Sequence, residues 1–223
     1  MAVRVYGCAV PQLPEPGPSE RINLGDPTLP RAAATVILLR DSEADGSLEV
    51  LMLRRSENAR FMPNVWVFPG GALDPEDGEG IEGLATCARR ELAEESGIDL
   101  HPETELVTLA RWVTPEVIKT RFDTWFFLAA GLAGTIAIPD GEEMTAERWV
   151  TPTTALAEYE REEFAIVFPT VKQLEALSPH ADSASAIAAA KADPNATRQV
   201  LPKVIGDERH HRVVLPHEDD YPT

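Results

Sequence analysis

Apolar residues along this chain fall into two patterns, and the change from one to the other marks its central segment. The apolar runs AAATVILLR (32–40) and LEVLMLRRS (48–56) have the length of strands, and the turn residues between them predict a β-hairpin. A third short run, VWVF (65–68), ends at a Pro-Gly-Gly sequence. From Ile81 onward, apolar residues recur at steps of three and four positions, which predicts an amphipathic helix ending at Gly97.

The second half of the chain returns to strand-like runs and then becomes helical. Three apolar runs predict strands, at residues 105–113, 121–130 and 146–151. Three segments with helical patterns follow, at residues 151–162, 169–177 and 183–192. Strands therefore precede and follow the central helix, and most helices come late. This order predicts an α+β fold or an α/β/α sandwich rather than regular βαβ alternation.

Composition divides the chain into three parts. Residues 1–30 are rich in proline and glycine, which predicts an extended N-terminal arm without a core of its own. Residues 31–178 carry the strand and helix patterns described above and are expected to form the main domain. Residues 179–223 hold one helical pattern and one short apolar run, so they predict a C-terminal helix followed by an extended tail.

Charge and composition limit the kinds of partner that the protein can have. The formal net charge is −17, which argues against a nucleic-acid partner because its backbone requires a basic face. A small anionic ligand would need metal cations or a local cluster of Arg and Lys. No apolar run is long enough to cross a membrane, and Cys8 and Cys87 lack metal-ligand spacing. These features predict a cytoplasmic protein with free thiols and no membrane partner.

Three glutamates on the central helix are the first candidates for chemistry. Glu91, Glu94 and Glu95 stand at positions i, i+3 and i+4, which places their carboxylates on one helix face. Each like-charged pair costs about 0.2–0.5 kcal/mol of helix stability, and a hard divalent cation between the carboxylates reverses that sign. Two interpretations follow from these residues alone: an ordinary solvated helix face or a metal site.

The surrounding residues resemble the signature of the Nudix hydrolases. That signature has Gly, five residues, Glu, seven residues and then Arg-Glu-aliphatic-x-Glu-Glu-x-Gly-aliphatic, and the chain matches every defined position from Glu82 to Ile98. Ten residues separate Gly71 from Glu82, so the loop carries an insertion of five residues relative to the signature. We therefore place the insertion between Gly71 and Glu82.

The resemblance extends beyond the signature to a particular branch of the family. The segments RFMPNVWVFPGGALDPEDG, RWVTPEVIKTRFDTWFFLA, ERWVTPTTAL and FPTVKQLEAL are similar to the branch that includes the animal peroxisomal coenzyme A diphosphatases. The similarity covers residues 32–178. It implies an α/β/α sandwich with a mixed sheet, a catalytic loop–helix–loop and additional C-terminal helices.

The resemblance also implies roles for individual residues and a cofactor. Glu94 and Glu95 are expected to be ligands of Mg²⁺ or Mn²⁺, and Glu91 is expected to be a ligand or the general base. Gly71 is expected to offer its carbonyl oxygen to the metal. Arg90 is expected to orient the glutamates through bidentate hydrogen bonds. The expected catalytic residues are therefore Arg90, Glu91 and Glu94.

A later loop offers a further metal ligand. Many Nudix hydrolases add a carboxylate from the loop that precedes the strand carrying a Trp. Here the segment DGEEMTAERW contains Glu142 and Glu143, and we favour Glu143, which stands six residues before Trp149. A solvated loop acid is the alternative interpretation.

Four arginines outside the signature are candidates for substrate binding. Arg54, Arg55 and Arg60 precede the signature and are expected to meet substrate phosphates, with a charged strand end as the alternative. Arg121, beside Trp112 and Phe122, is a candidate for an adenine or pantetheine pocket, with a place in the core as the alternative.

The resemblance implies hydrolysis of a nucleoside diphosphate linked to another moiety. Coenzyme A or an acyl-CoA is the favoured substrate, giving 3′,5′-ADP and (acyl-)phosphopantetheine. ADP-ribose or a dinucleotide is an alternative small-molecule substrate. A non-catalytic nucleotide-binding module is a further alternative, although such modules usually lose glutamates that this chain retains. A homodimer is left open.

Overall fold

The structure is a computed structural model that describes residues 23, 25–59, 62–132, 134–206 and 211–222. Ten strands, four α-helices and a 3₁₀ turn (Pro75–Asp77) lie within these residues. The strands and α-helices are numbered. In chain order they are β1 (Arg31–Asp41), β2 (Leu48–Arg55), β3 (Trp66–Val67), β4 (Gly70–Ala72), α1 (Gly80–Ser96), β5 (Val107–Val113), β6 (Phe122–Ala130), β7 (Met144–Val150), α2 (Pro152–Glu160), α3 (Phe168–Leu177), α4 (Ser183–Ala192), β8 (Gln199–Val200), β9 (Lys203–Gly206) and β10 (His211–Val214).

A mixed sheet built around β1 forms the middle layer. The strand order is β3-β2-β1-β6-β5-β8, with β4 also paired to β1 and β7 also paired to β2. β1 runs antiparallel to β2, as the hairpin pattern predicts, and parallel to β6. The parallel register extends from Arg31 opposite Phe122 to Leu39 opposite Ala130. The predicted α+β architecture with a mixed sheet is confirmed.

Alternating residues of β1 divide the core into two layers. Ala34, Val36 and Leu38 pack with apolar residues of α1 on one face of the sheet. Ile37 and Leu39 pack on the other face with residues of α2, α3 and α4. One helix therefore covers one face and three helices cover the other, as in an α/β/α sandwich.

The central helix has the boundaries that its sequence predicts. Its buried side includes Leu84, Ala88 and Leu92, which follow the predicted apolar spacing. Gly97 ends the helix with φ of 68° in the left-handed region, and its N–H donates to the carbonyl of Ala93. The glutamates of the helix consequently lie on a rigid, well-terminated element.

The sequence did not predict β4, because the Pro-Gly-Gly sequence indicates a strand end. Gly70 and Gly71 instead continue the chain as a short strand antiparallel to β1. A Cβ at Gly70 would lie 2.6 Å from the carbonyl oxygen of Ala34 and 2.7 Å from Cα of Thr35. Only glycine fits so close to the backbone of β1, and this approach brings β4 beside α1.

The C-terminal elements are attached to the same core. The carboxylate of Asp41 accepts hydrogen bonds from the N–H and the hydroxyl of Ser183 at the start of α4. Ala186 and Ala190 of α4 lie in the buried cluster beneath the sheet, and β8 pairs parallel with β5.

Most of the predicted N-terminal arm lies outside the described residues, which include only 23 and 25–30 of that segment. The hydroxyl of Thr28 donates to the carbonyl of Lys119, and the N–H of Asn23 donates to the carbonyl of Val117. The described end of the arm therefore runs beside the loop between β5 and β6. In the part of the chain that the structure describes, no helix is both long enough and apolar enough to cross a membrane.

Candidate active site

Helix α1 presents its three glutamates to the edge formed by β4, with graded burial. The carboxylate of Glu95 is buried and accepts a hydrogen bond of 3.0 Å from the N–H of Gly70. The Glu91 side chain is 15% exposed and lies against Gly71, where a Cβ would stand 2.2 Å from its Oε1. Glu94 is the outermost, with 61% of its side chain exposed. Two adjacent glycines therefore allow two carboxylates to approach the backbone of one short strand.

Burial makes the two inner carboxylates unusually hard to ionise. Burial raises the pKa of Glu95 to about 8, the hydrogen bond from Gly70 opposes the rise, and the charge of Glu91 adds to it. Burial also raises the pKa of Glu91, while hydrogen bonding to Arg90 opposes that rise. A positive charge placed between these groups would stabilise both carboxylates.

Arg90 joins Glu91 and Glu94 to an aspartate of the preceding loop. Its Nε and Nη2 atoms donate to Oδ1 and Oδ2 of Asp77 at 2.9 and 2.8 Å. Its Nη1 atom donates to Glu91 at 2.8 Å and to Glu94 at 3.1 Å. The hydrogen bonds to Asp77 are the main reason that the pKa of Arg90 lies above its usual range. The guanidinium is therefore fixed on one side and contacts both glutamates with the other.

The loop before β7 brings Glu143 toward the same edge. Oδ1 of Asp140 accepts hydrogen bonds from the N–H groups of Glu142, Glu143 and Met144 at 2.5, 2.7 and 3.2 Å. The carbonyl of Glu143 accepts a hydrogen bond from the N–H of Ser56, at the end of β2. Burial is the main cause of the raised pKa of Glu95, and the charge of Glu143 adds to it. The structure therefore places Glu143 within electrostatic range of the α1 glutamates.

The four predicted substrate arginines are placed differently. The charge of Arg55 opposes the rise in the pKa of Glu95, so Arg55 lies near the glutamates. Arg54 is the cross-strand partner of Trp66 and donates to Oδ1 of Asn64 at 3.3 Å. Arg60 lies outside the described residues.

Arg121 departs from the expectation that it binds substrate. It is 7% exposed, its Nε donates to the carbonyl of Thr114 and its Nη1 donates to the carbonyl of Thr28. These bonds commit two of its three nitrogens to backbone oxygens. The structure therefore gives Arg121 the core alternative, in which it braces the N-terminal segment against the β5–β6 loop.

Two further residues near the candidate pocket and the glutamates belong to the core. Trp112 is 8% exposed and makes an edge contact with Phe168. Cys87 is a buried free thiol whose sulfur contacts the carbonyls of Gly71 and Ala72 at 3.7 and 3.5 Å. Burial raises its pKa to about 12, so it is a packing residue rather than a nucleophile. Cys8 lies outside the described residues.

The donor atoms at this edge have the chemistry that Mg²⁺ and Mn²⁺ require. Carboxylate oxygens and a backbone carbonyl are hard ligands, and a nearby positive charge would favour the ionised form of the buried Glu95. Within the described residues, no three His, Cys, Asp or Glu side chains are grouped closely enough to hold a metal ion as they stand. The Arg90 guanidinium contacts Glu91 and Glu94 in this arrangement, so these side chains would have to move to coordinate a cation.

Sequence reasoning missed two aspartates that organise this edge. Asp77 holds Arg90, and Asp140 shapes the loop that carries Glu143. For Asp140, the Asp-Gly turn signal in the sequence could have indicated the capped loop. For Asp77, the sequence signal is its spacing from Gly71: five residues lie between them, as between the glycine and the first acid of the signature.

Comparison with known proteins finds similarity across the same region. The family model of the NUDIX domain matches residues 29–171. A Caenorhabditis elegans protein that carries the name nudix hydrolase 7 is 44% identical over 68 residues, which are 30% of this chain and 22% of that protein. The m7GpppN-mRNA hydrolase NUDT17 of Danio rerio is 35% identical over 85 residues, which are 38% of this chain and 26% of that protein. The chain thus spans about a quarter of the length of these curated relatives.

One solved structure supports the fold across most of the chain. The crystal structure of a NUDIX hydrolase from Alicyclobacillus acidocaldarius superposes with a TM-score of 0.63 at 28% sequence identity. The match covers 72% of this chain and 96% of that one.

Proposed function

The chain belongs to the NUDIX domain family, and on that premise we propose that it is a metal-dependent diphosphatase. Its substrates are nucleoside diphosphates linked to another moiety, and it cleaves the diphosphate bond with water. The observation that carries this proposal is the approach of Glu91 and Glu95 to Gly70 and Gly71, with Arg90 beside them. Carboxylates this close together repel each other unless a cation lies between them, which favours a metal-dependent enzyme over a binding module that uses no metal.

The roles of the residues follow from the charge of the substrate. Glu91, Glu94, Glu95 and Glu143, with the carbonyl of Gly71, would hold Mg²⁺ or Mn²⁺. Such a metal supplies neutralisation of phosphate oxygens and a bound water of lowered pKa. Arg90 orients Glu91 and Glu94, and Glu91 serves as a ligand or as the base that accepts the proton of the attacking water.

Arg55 is the arginine best placed to meet the substrate phosphates. Its charge acts on Glu95, and it ends the strand that leads to this edge. We assign Arg54 and Arg60 to the same phosphate-binding region from their positions in the sequence. Arg121 is not part of this proposal because its guanidinium donates to backbone carbonyls.

Coenzyme A or an acyl-CoA is the favoured substrate, and the products are 3′,5′-ADP and (acyl-)phosphopantetheine. The support comes from segments outside the signature, such as FPGGALDPEDG and ERWVTPTTAL, which resemble the coenzyme A branch. A second candidate is a 5′–5′ linked dinucleotide. The similarity to a relative named as an m7GpppN-mRNA hydrolase favours that candidate, whereas the net charge of −17 disfavours a long RNA.

A substrate panel tests the proposal. Purified protein with Mg²⁺ or Mn²⁺ is offered coenzyme A, ADP-ribose, NADH, diadenosine polyphosphates and a cap dinucleotide, and the products are identified by mass spectrometry. Release of 3′,5′-ADP from coenzyme A at the highest kcat/KM is the expected result. Preference for another compound overturns the substrate assignment. Tight binding without turnover of any compound overturns the enzymatic proposal. The matched control is the same protein in excess EDTA.

A further inference from the structure

Two acids, Asp77 in the loop before α1 and Glu82 in the first turn of α1, each satisfy one half of the family signature. Five residues separate Gly71 from Asp77, which is the signature spacing between its glycine and its acid. Seven residues separate Glu82 from Arg90, which is the signature spacing between its acid and its arginine. Sequence spacing alone therefore assigns the acid to either residue.

The structure separates these two acids by their contacts. Both carboxylate oxygens of Asp77 accept hydrogen bonds from Arg90, and only 2% of its side chain is exposed. Oδ2 of Asp77 also accepts a hydrogen bond of 2.9 Å from the N–H of Asp74. Glu82 is exposed on the first turn of α1, and no described residue pairs with its carboxylate. Asp77 is therefore the acid that holds Arg90.

Local backbone structure fixes Asp77 beneath α1. Pro75–Asp77 form a 3₁₀ turn, in which Pro75 restricts the backbone and Asp74 precedes the turn. A Cβ at Gly83 would lie 2.6 Å from the backbone of Gly78, so the first turn of α1 rests directly on the residue after Asp77. The 3₁₀ turn and the contact between Gly78 and α1 therefore fix the backbone on both sides of Asp77, independently of its contact with Arg90.

This arrangement has a consequence for Glu91 and Glu94. Because Nε and Nη2 of Arg90 are bound to Asp77, Nη1 is the nitrogen that reaches Glu91 and Glu94. A guanidinium is planar, so fixing one side of it fixes the direction of the other. Loss of Asp77 would free the arginine to turn toward the glutamates and compete with a cation for their oxygens.

We propose that Asp77, rather than Glu82, is the positioning residue that sets Arg90 and, through it, Glu91 and Glu94. Twelve residues separate Asp77 from Arg90, so the five additional residues of the loop lie after Asp77 and not before it. This inference rests on the proposed metal-dependent function, but it concerns the orientation of the carboxylates and not the identity of the substrate.

Binding of Mn²⁺ to purified variants, measured by electron paramagnetic resonance without substrate, tests the proposal. Asp77→Asn keeps the size of the side chain and one hydrogen-bond acceptor, and we expect it to weaken Mn²⁺ binding about tenfold. Asp74→Asn is the matched control, because Asp74 also lies near Arg90, at 3.6 Å, but is 61% exposed. Asp74→Asn and Glu82→Gln should stay within about twofold of the parent protein. The proposal is overturned if Glu82→Gln weakens Mn²⁺ binding about tenfold, or if Asp77→Asn binds Mn²⁺ as tightly as the parent protein.

A double variant shows whether Asp77 acts through Arg90. If it does, Asp77→Asn combined with Arg90→Gln binds Mn²⁺ no more weakly than Arg90→Gln alone. If the double variant instead loses Mn²⁺ affinity by the product of the two single-variant losses, Asp77 acts by another route and the proposal is overturned. Asp77→Glu restores a carboxylate and should recover most of the binding. Asp77→Glu also provides the test if Asp77→Asn unfolds. A folded Asp77→Glu that loses as much Mn²⁺ binding as Arg90→Gln contradicts the proposal.

Turnover of whichever compound the substrate panel identifies gives a second readout. We expect Asp77→Asn to lower kcat about tenfold with little change in KM, because Asp77 does not contact the substrate. A rise in KM with unchanged kcat contradicts the positioning role. If coenzyme A is not a substrate, the Mn²⁺ measurements still decide the role of Asp77, so the two proposals fail separately.

Discussion

Gly70 and Gly71 are neighbours in one short strand, yet a side chain would meet a different neighbour at each position. A Cβ at Gly71 meets the end of the Glu91 side chain, with Oε1 at 2.2 Å. A Cβ at Gly70 meets the backbone of β1, with the Ala34 carbonyl oxygen at 2.6 Å. A carboxylate on a flexible side chain can move aside, whereas a paired strand cannot. A side chain at Gly70 would therefore disturb the fold, whereas a side chain at Gly71 would disturb the site.

We expect Gly71→Ala to lower kcat at least about tenfold with little effect on stability, because it displaces the Glu91 carboxylate. Gly70→Ala should lower the free energy of unfolding by about 2 kcal/mol, because it forces β4 away from β1. Urea unfolding and steady-state kinetics on both variants separate these effects. Similar stability losses in both variants would contradict the assignment.

Glu94 has the most exposed carboxylate of the three glutamates Glu91, Glu94 and Glu95, so its charge can be removed without disturbing the core. We expect Glu94→Gln to lower kcat more than about a hundredfold, because it removes a proposed metal ligand, while the unfolding temperature stays near that of the parent protein. Glu103→Gln, at another exposed glutamate, is the control and should retain full activity. Near-normal turnover by Glu94→Gln would refute the metal assignment.

At the scale of elements, a bidentate ion pair joins β7 to α2. Arg148 donates to both carboxylate oxygens of Glu158, at 2.5 and 2.7 Å. These hydrogen bonds hold the pKa of Glu158 below its usual value of 4.5. A carboxyl group whose pKa is lower in the folded state stabilises the protein above the unfolded pKa, and that stabilisation is lost as the pH falls through the folded pKa.

We therefore expect Glu158→Gln to lower the free energy of unfolding by about 1 kcal/mol at pH 7. The difference from the parent protein should shrink as the pH falls below about 4.5, the usual pKa of the group, because the parent then loses the same charge. Urea unfolding of both proteins at pH values from 7 to below about 4.5 measures this difference in the free energy of unfolding. A difference that does not depend on pH would mean that the pair stabilises by packing alone.

Prediction from sequence succeeded where structure depends on local periodicity. The β1–β2 hairpin and the full length of α1 follow from spacing of apolar residues, and the three glutamates follow from helical geometry. β4 could not be predicted, because its three residues form a strand only by pairing with β1 more than thirty positions earlier. Asp77 was missed for a related reason: its role depends on a contact with Arg90 that neither residue indicates alone.

At the scale of the whole molecule, the acidic charge and the closely placed carboxylates lead to the same prediction about cations. The net charge is −17, and the buried Glu95 lies beside the partly buried Glu91 against β4. A cation that binds only the folded chain raises its stability by mass action. Binding of a cation relieves the repulsion between the Glu91 and Glu95 carboxylates, and this relief adds to the affinity for the cation.

We expect Mn²⁺ at about one hundred times its Kd to stabilise the folded state by about 2.7 kcal/mol and to raise the unfolding temperature by about 5 °C or more. Excess EDTA should reverse the shift, and Glu94→Gln should reduce it. Sodium chloride at equal ionic strength is the control for general screening of charge. An equal shift with sodium chloride would show that no specific cation site exists at this edge.

The loop that carries Glu143 lies far along the chain from the other residues of the candidate active site. Gly71, Asp77, Arg90 and the α1 glutamates come from one continuous segment, 71–95, whereas Glu143 is held by the N–H of Ser56 and by Asp140. Opening of the 140–143 loop would therefore withdraw one carboxylate while the others kept their places. In amide hydrogen exchange, the N–H of Ser56 would report this opening separately from the amides of α1.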